Sequence, residues 1–283
     1  MTAATLSPAL APSRPARTGV TFPRVVASEW IKFSTVRSTV WSLAVTVVVM
    51  VGISVLAAWA GTMEGAEADP NAPGSAAALA ISGYFLAQLV VVVLGVLAIS
   101  GEYTTGMIRS TLTAVPTRVP ALLAKALVLT AIVAIVSLVG VALSYVATMP
   151  FHDQLGVELD LSDGEAVRIL LGTPLYLATI ALLALAVGAL LRHSAGALAT
   201  VLGLLLVIET VLALVPLTLF ENISPFLPGT AGARLIMDAQ QIEMSTLFQT
   251  GPALTPWQGY GVLLAWALVL LTAAAVLLRR RDA

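Results

Sequence analysis

Six long apolar runs, each of about twenty residues, dominate this 283-residue chain and constrain everything else about it. They cover residues 40–60, 78–100, 126–148, 169–191, 196–220 and 257–278. In hydrocarbon a backbone has no water to satisfy its N–H and C=O groups, so only helices and closed barrels cross a membrane. Barrel strands are short and alternate in polarity. These runs do neither, and the sequence predicts an all-α integral membrane protein with six transmembrane helices. Composition agrees: 59% of residues are hydrophobic and 10% are charged, too few charges to cover a soluble globule. A net charge of −1 excludes the concentrated basic face of a nucleic-acid binder. With no cysteine, disulfides, thiolate metal sites and cysteine nucleophiles are excluded too.

Residues 1–23 read as a disordered tail, rich in Pro, Ala and Thr and without the apolar core of a signal peptide. Residues 24–283 read as one membrane domain. Basic residues set orientation. With both ends of the chain inside, twelve of the fourteen basic residues fall on the cytoplasmic side and only Arg168 and Arg234 fall outside. Most acidic residues do the reverse, including Asp153, Glu158, Asp160, Asp163 and Glu165 in one loop. The expected topology is N-in, C-in.

Three segments outside the spans carry more detail. RVVASEWIKFSTVR, 24–37, has Val26, Trp30 and Phe33 at helical spacing, with Arg24, Lys32 and Arg37 as basic groups. It reads as an interfacial helix of imperfect amphipathy, because Glu29 flanks the stripe, or else as a basic signal that only orients the first span. GEYTTGMIRSTLTAVPTR, 101–118, is polar and longer than a chain reversal needs. Gly106 interrupts a short helix there and Pro116 ends it. The region 221–256 holds four prolines around a short helix expected over 231–242, with Arg234 and Asp238. It either dips into the outer leaflet as a re-entrant segment or forms a solvated loop.

Within the spans, Glu209 (in LLLVIETVLALVP) is the one acidic residue, and Gln88 lies one turn from Tyr84. A carboxylate in hydrocarbon is costly, so Glu209 must face protein or water. Counted from the expected outer span ends at about 1.5 Å per residue, both polar groups lie near mid-membrane. They line a common pathway, or they glue helices together by hydrogen bonds. Ala195, Ala199 and Gly203 make a small-residue stripe on the fifth span, and Pro216 is expected to kink that span's outer end. No P-loop, HExxH or GxSxG pattern occurs. No cofactor, metal site or catalytic residue is expected on this chain. His193, beside Arg192, reads as an interfacial anchor.

The order SEWIKFSTVRST, then GEYTTGMIRSTLTAVPTR after the second span and ISPFLPG after the fifth, resembles the permease subunit of ABC-2 type ABC transporters of the kind found in actinobacteria. The resemblance runs from about Arg24 onward. It implies a coupling loop in which Glu102, Tyr103, Gly106 and Arg109 contact a separate ATPase, with Arg118 at the rim. It implies that Glu29, Trp30 and Lys32 brace the same partner from the interfacial helix. It also implies a homodimer or paired permease in a bacterial cell membrane, with Tyr84, Gln88 and Glu209 beside the pathway. ATP and Mg would be bound by the partner ATPase, and the direction would be export. The alternative is a membrane sensor or immunity protein that binds a drug or peptide, with no transport.

Overall fold

The computed structural model describes residues 21–64, 75–107, 118–162, 164–215, 217–247 and 251–280. Six helices are long and apolar enough to cross a membrane, over residues 37–63, 76–104, 119–155, 164–191, 194–214 and 256–280. In chain order they follow α1, Phe22–Thr35. The first span is α2, Arg37–Glu64. The second is built from α3, Ala76–Ala80, and α4, Tyr84–Thr104. The third is α5, Val119–Leu155, and the fourth α6, Gly164–Leu191. The fifth joins α7, Ser194–Leu202, to α8, Glu209–Leu214, through a π-helical stretch Gly203–Ile208. Three short helices follow: α9, Thr218–Ile223, α10, Pro228–Ala233, and α11, Ala239–Leu247. The sixth span is α12, Pro256–Arg280.

The fourth span is the hub. In its most apolar window 78% of residues are buried, against 22% in the first and fifth spans. It packs on α4, α5 and α12. Small residues allow the closest approach: a Cβ on Gly95 of α4 would stand 2.5 Å from the Ala181 carbonyl oxygen of α6. The outer faces are apolar and bare, with Val48, Leu214 and Val269 among the most exposed. Such a surface suits lipid and would aggregate in water.

The structure departs from expectation in four places. The fifth span stops at Leu214 instead of Phe220: Val215 is extended, as a residue before proline prefers, while Pro216 itself lies outside the described residues. The small stripe on that span does not pack within the chain. Ala195 and Ala199 are exposed, and Ala197 and Val201 are buried instead. The helix expected over 231–242 is divided into α10 and α11, and Arg168 donates to the Leu235 and Met237 carbonyls of the intervening turn. Finally, α1 buries Val25, Glu29 and Phe33, and leaves Trp30 49% exposed.

Candidate functional site

The burial of Glu29 has a local cause. It occupies the centre of the buried face of α1 because two ammonium groups meet it there. Lys125 Nζ of α5 donates to Glu29 Oε2 at 2.6 Å and to Glu102 Oε1 of α4 at 2.8 Å. Lys32 Nζ donates to Glu29 Oε1 at 2.7 Å and to Glu102 Oε1 at 3.2 Å. Four charges from three helices therefore cancel in one knot. Glu29, Glu102 and Lys125 are each at most 5% exposed. Burial by itself would lower the Lys32 ammonium, but its bonds and attraction to Glu29 and Glu102 outweigh that and hold it above its ordinary value. Lys125 also lies 5.6 Å from the centre of the Phe33 ring.

The knot ties α1 to the end of the second span, where the polar loop begins. Two residues beyond Thr104, Gly106 takes a left-handed φ of 72°, and the helix is over. The Tyr103 ring lies under Arg192, 5.2 Å from its guanidinium carbon. Arg118 precedes α5 and reaches the carbonyl of Leu278 at 3.4 Å, joining the loop's far side to α12. Of the residues expected to meet an ATPase, Glu102 faces inward to the knot, while Gly106 and Trp30 are exposed and Tyr103 is half-buried. Arg109 lies outside the described residues.

At the opposite end of the bundle a second arrangement encloses α9–α11. Glu209 does not stand free. Its Oε1 accepts from the Gly229 N–H at 2.8 Å, and its Oε2 accepts from Thr230 N–H at 2.5 Å and Thr230 Oγ1 at 2.8 Å. It thus caps the start of α10, and it lies five residues from the end of its own helix rather than near mid-span. The π-helical stretch just before it shifts the helical register, and Val207, Ile208 and Val211 stay outside. Gly229 and Gly232 share one face of α10. A Cβ on the first would strike the Glu209 carboxylate, and one on the second would strike Leu263 and Tyr176.

Two further contacts hold the segment. Arg168 donates to the carbonyls of Leu235 and Met237 at 2.6 and 2.8 Å. Trp266 Nε1 donates to the Phe226 carbonyl at 2.9 Å. Gln88 is held separately: the buried Tyr176 hydroxyl donates to its Oε1, and Tyr84 meets the Tyr176 ring edge-on with centroids 6.1 Å apart. Gln88 and Glu209 thus have different partners.

Six lipid-compatible helices with a buried ionic knot at one end and a clamped loop at the other define a polytopic membrane protein. Residues 25–210 match the family described as ABC-2 family transporter protein. That is more than half the chain, which therefore belongs to this family as a permease, the membrane component of an ABC transporter and not its catalytic one. No curated protein matches the chain closely enough to extend this.

Proposed function

We propose that this permease forms the substrate pathway of an exporter in a bacterial cytoplasmic membrane, as a homodimer or with a second permease, and is driven by a separate ATPase that binds ATP and Mg. The end carrying Arg24, Arg37, Arg118, Arg192, Arg279 and Arg280 faces the cytoplasm, as positive charge favours. The observation that carries this reading is the buried knot. It fixes α1 and the cytoplasmic ends of the second and third spans as one body, directly beside the loop that follows Thr104. A partner pushing on Tyr103, Gly106 and Arg109, with Arg118 at the rim and Trp30 on α1, would move that body as a unit. In this reading Glu29, Lys32 and Glu102 transmit force. The exposed Ala195 and Ala199, with the half-buried Gly203, offer a close-packing face for the second permease.

The sensor reading draws less support. Asp160 of the acidic loop accepts from the backbone N–H and hydroxyl of Ser162, and Glu165 accepts from the Ala239 N–H, so both already serve local structure.

Co-purification with a soluble ATPase tests the proposal. Arg109→Ala with Trp30→Ala is expected to reduce permease-stimulated ATP hydrolysis about tenfold or more, a loss of about 1.4 kcal/mol of coupling, while the permease remains folded. A chain that purifies alone, and whose variants transport normally, would refute the coupling role. ATP-independent ligand binding without flux in proteoliposomes would favour the sensor.

A further inference from the structure

The fifth span holds one residue more than a straight helix of its length would. The Glu209 N–H bonds to the Leu204 carbonyl, five residues back, at the end of the π-helical Gly203–Ile208. On the N-terminal side of that stretch, α7 is anchored: Ala197 and Val201 are buried, and the helix packs on α4 and α6. On the other side, Glu209 is the only buried residue of α8. The outer end of the span is therefore tied to α10 by the hydrogen bonds of one carboxylate, with little apolar packing behind them. Single-turn π insertions are rare in helices and concentrate at functional sites.

The extra residue sets where Glu209 points. At about 100° per residue, an unbroken α-helix would place Glu209 about 120° from Ala197 and about 80° from Val201. Taking up one residue in the wider turn brings it back to within about 20° of both, onto the buried side. Returned to α-helix, the same stretch would turn Glu209 by about 100° and move α8 outward by about 1.5 Å. Ile208, now 46% exposed, would take its place against Gly229. The carboxylate would come within about 40° of Ala195, on the face offered to a second permease and away from lipid. We propose that Gly203–Ile208 is a register switch. In its π form Glu209 latches the start of α10 and holds α9–α11 in place; in its α form the latch is open. As a gate at the outer end the switch rests on the permease reading, but its two registers belong to this chain alone.

Nitroxides on Thr210→Cys of α8 and Val269→Cys of α12, both exposed positions, read the register as a distance in the full chain, in nanodiscs with unlabelled chain in excess. On a helix about 10–12 Å across, a turn of about 100° carries a side-chain tip about 8 Å. The parent is expected to show mainly one distance. Gly229→Ala sets a Cβ 2.6 Å from Glu209 Oε2, a conflict that the flexible end of Glu209 relieves by leaving. It is expected to raise the share of a second distance about tenfold. Glu209→Leu removes the latch without adding bulk to α10 and is expected to do the same. Deleting Val207, whose side chain is 59% exposed, leaves no residue to release. That deletion is expected to keep the parent's main distance, both alone and combined with Gly229→Ala. One distance throughout in folded Gly229→Ala and Glu209→Leu, or the second distance in the combined variant, overturns the switch. Two registers in a chain that recruits no ATPase would uphold the switch and refute the coupling.

Discussion

Lys125→Met is expected to lower the unfolding free energy by about 3–5 kcal/mol, the usual effect of removing one partner from a buried ion pair. Lys125 supplies the shortest bond to each carboxylate, at 2.6 and 2.8 Å, and its side chain is 5% exposed against 31% for Lys32. Without it, Glu29 and Glu102 face one another with a single, partly solvated ammonium between them. Lys32→Met should cost far less, about 1 kcal/mol, because water screens that side of the knot. Replacing Glu29, Lys32, Glu102 and Lys125 together by apolar residues of similar volume should recover much of the loss, since no charge of the knot is then left alone. Denaturant unfolding in a mild detergent reads all three. Equal losses for Lys125→Met and Lys32→Met would show that burial does not govern the cluster.

Glu209→Ala is expected to cost about 3 kcal/mol and to loosen one end of the molecule without unfolding the bundle. The substitution strips acceptors from three donors, those of Gly229 and of Thr230, two of them backbone N–H groups at the start of α10. A buried N–H without an acceptor carries its full desolvation cost. Glu209→Gln keeps one carbonyl oxygen for those donors and should fall between the parent and Glu209→Ala. Hydrogen exchange separates the effects: the Gly229 and Thr230 amides should exchange much faster in Glu209→Ala, while those of α6 stay protected. Parent-like exchange in both variants, together with altered transport, would make Glu209 a pathway residue and not a clamp.

The spans are legible in the sequence because an unbroken apolar stretch of about twenty residues suits a bilayer and little else. Hydropathy carries the fifth span on to Phe220, past its end at Leu214, because 215–220 stays apolar beyond the point where Pro216 constrains Val215. By hydropathy Glu29 interrupts an amphipathic stripe over Val26, Trp30 and Phe33. The stripe that is buried is Val25, Glu29 and Phe33, and hydropathy ranks it lower because it cannot see the compensating charge on another helix. A signal is nevertheless present: Glu29, Lys32, Glu102 and Lys125 all fall near one membrane surface in the expected topology, and their formal charges cancel. Pairing charges by depth brings Lys125 into the site. Tyr176 and Arg168 are less accessible, because their partners lie 88 and 67 residues away along the chain and one of Arg168's acceptors is the Leu235 backbone carbonyl. Likewise, nothing in GLLLVI marks it as the π-helical stretch that turns Glu209 toward α10.

Coupling to an ATPase requires that the end of the bundle holding the ionic knot meet the nucleotide. The chain has no cysteine, so single cysteines can be placed at Thr105, exposed beside the knot, and at Glu243, exposed on α11, and challenged with a membrane-impermeant maleimide on right-side-out vesicles. Glu243→Cys should label at once and Thr105→Cys only after permeabilisation. Immediate labelling of Thr105→Cys, with Glu243→Cys protected until the membrane is opened, would place the polar loop away from any cytoplasmic ATPase and contradict the mechanism.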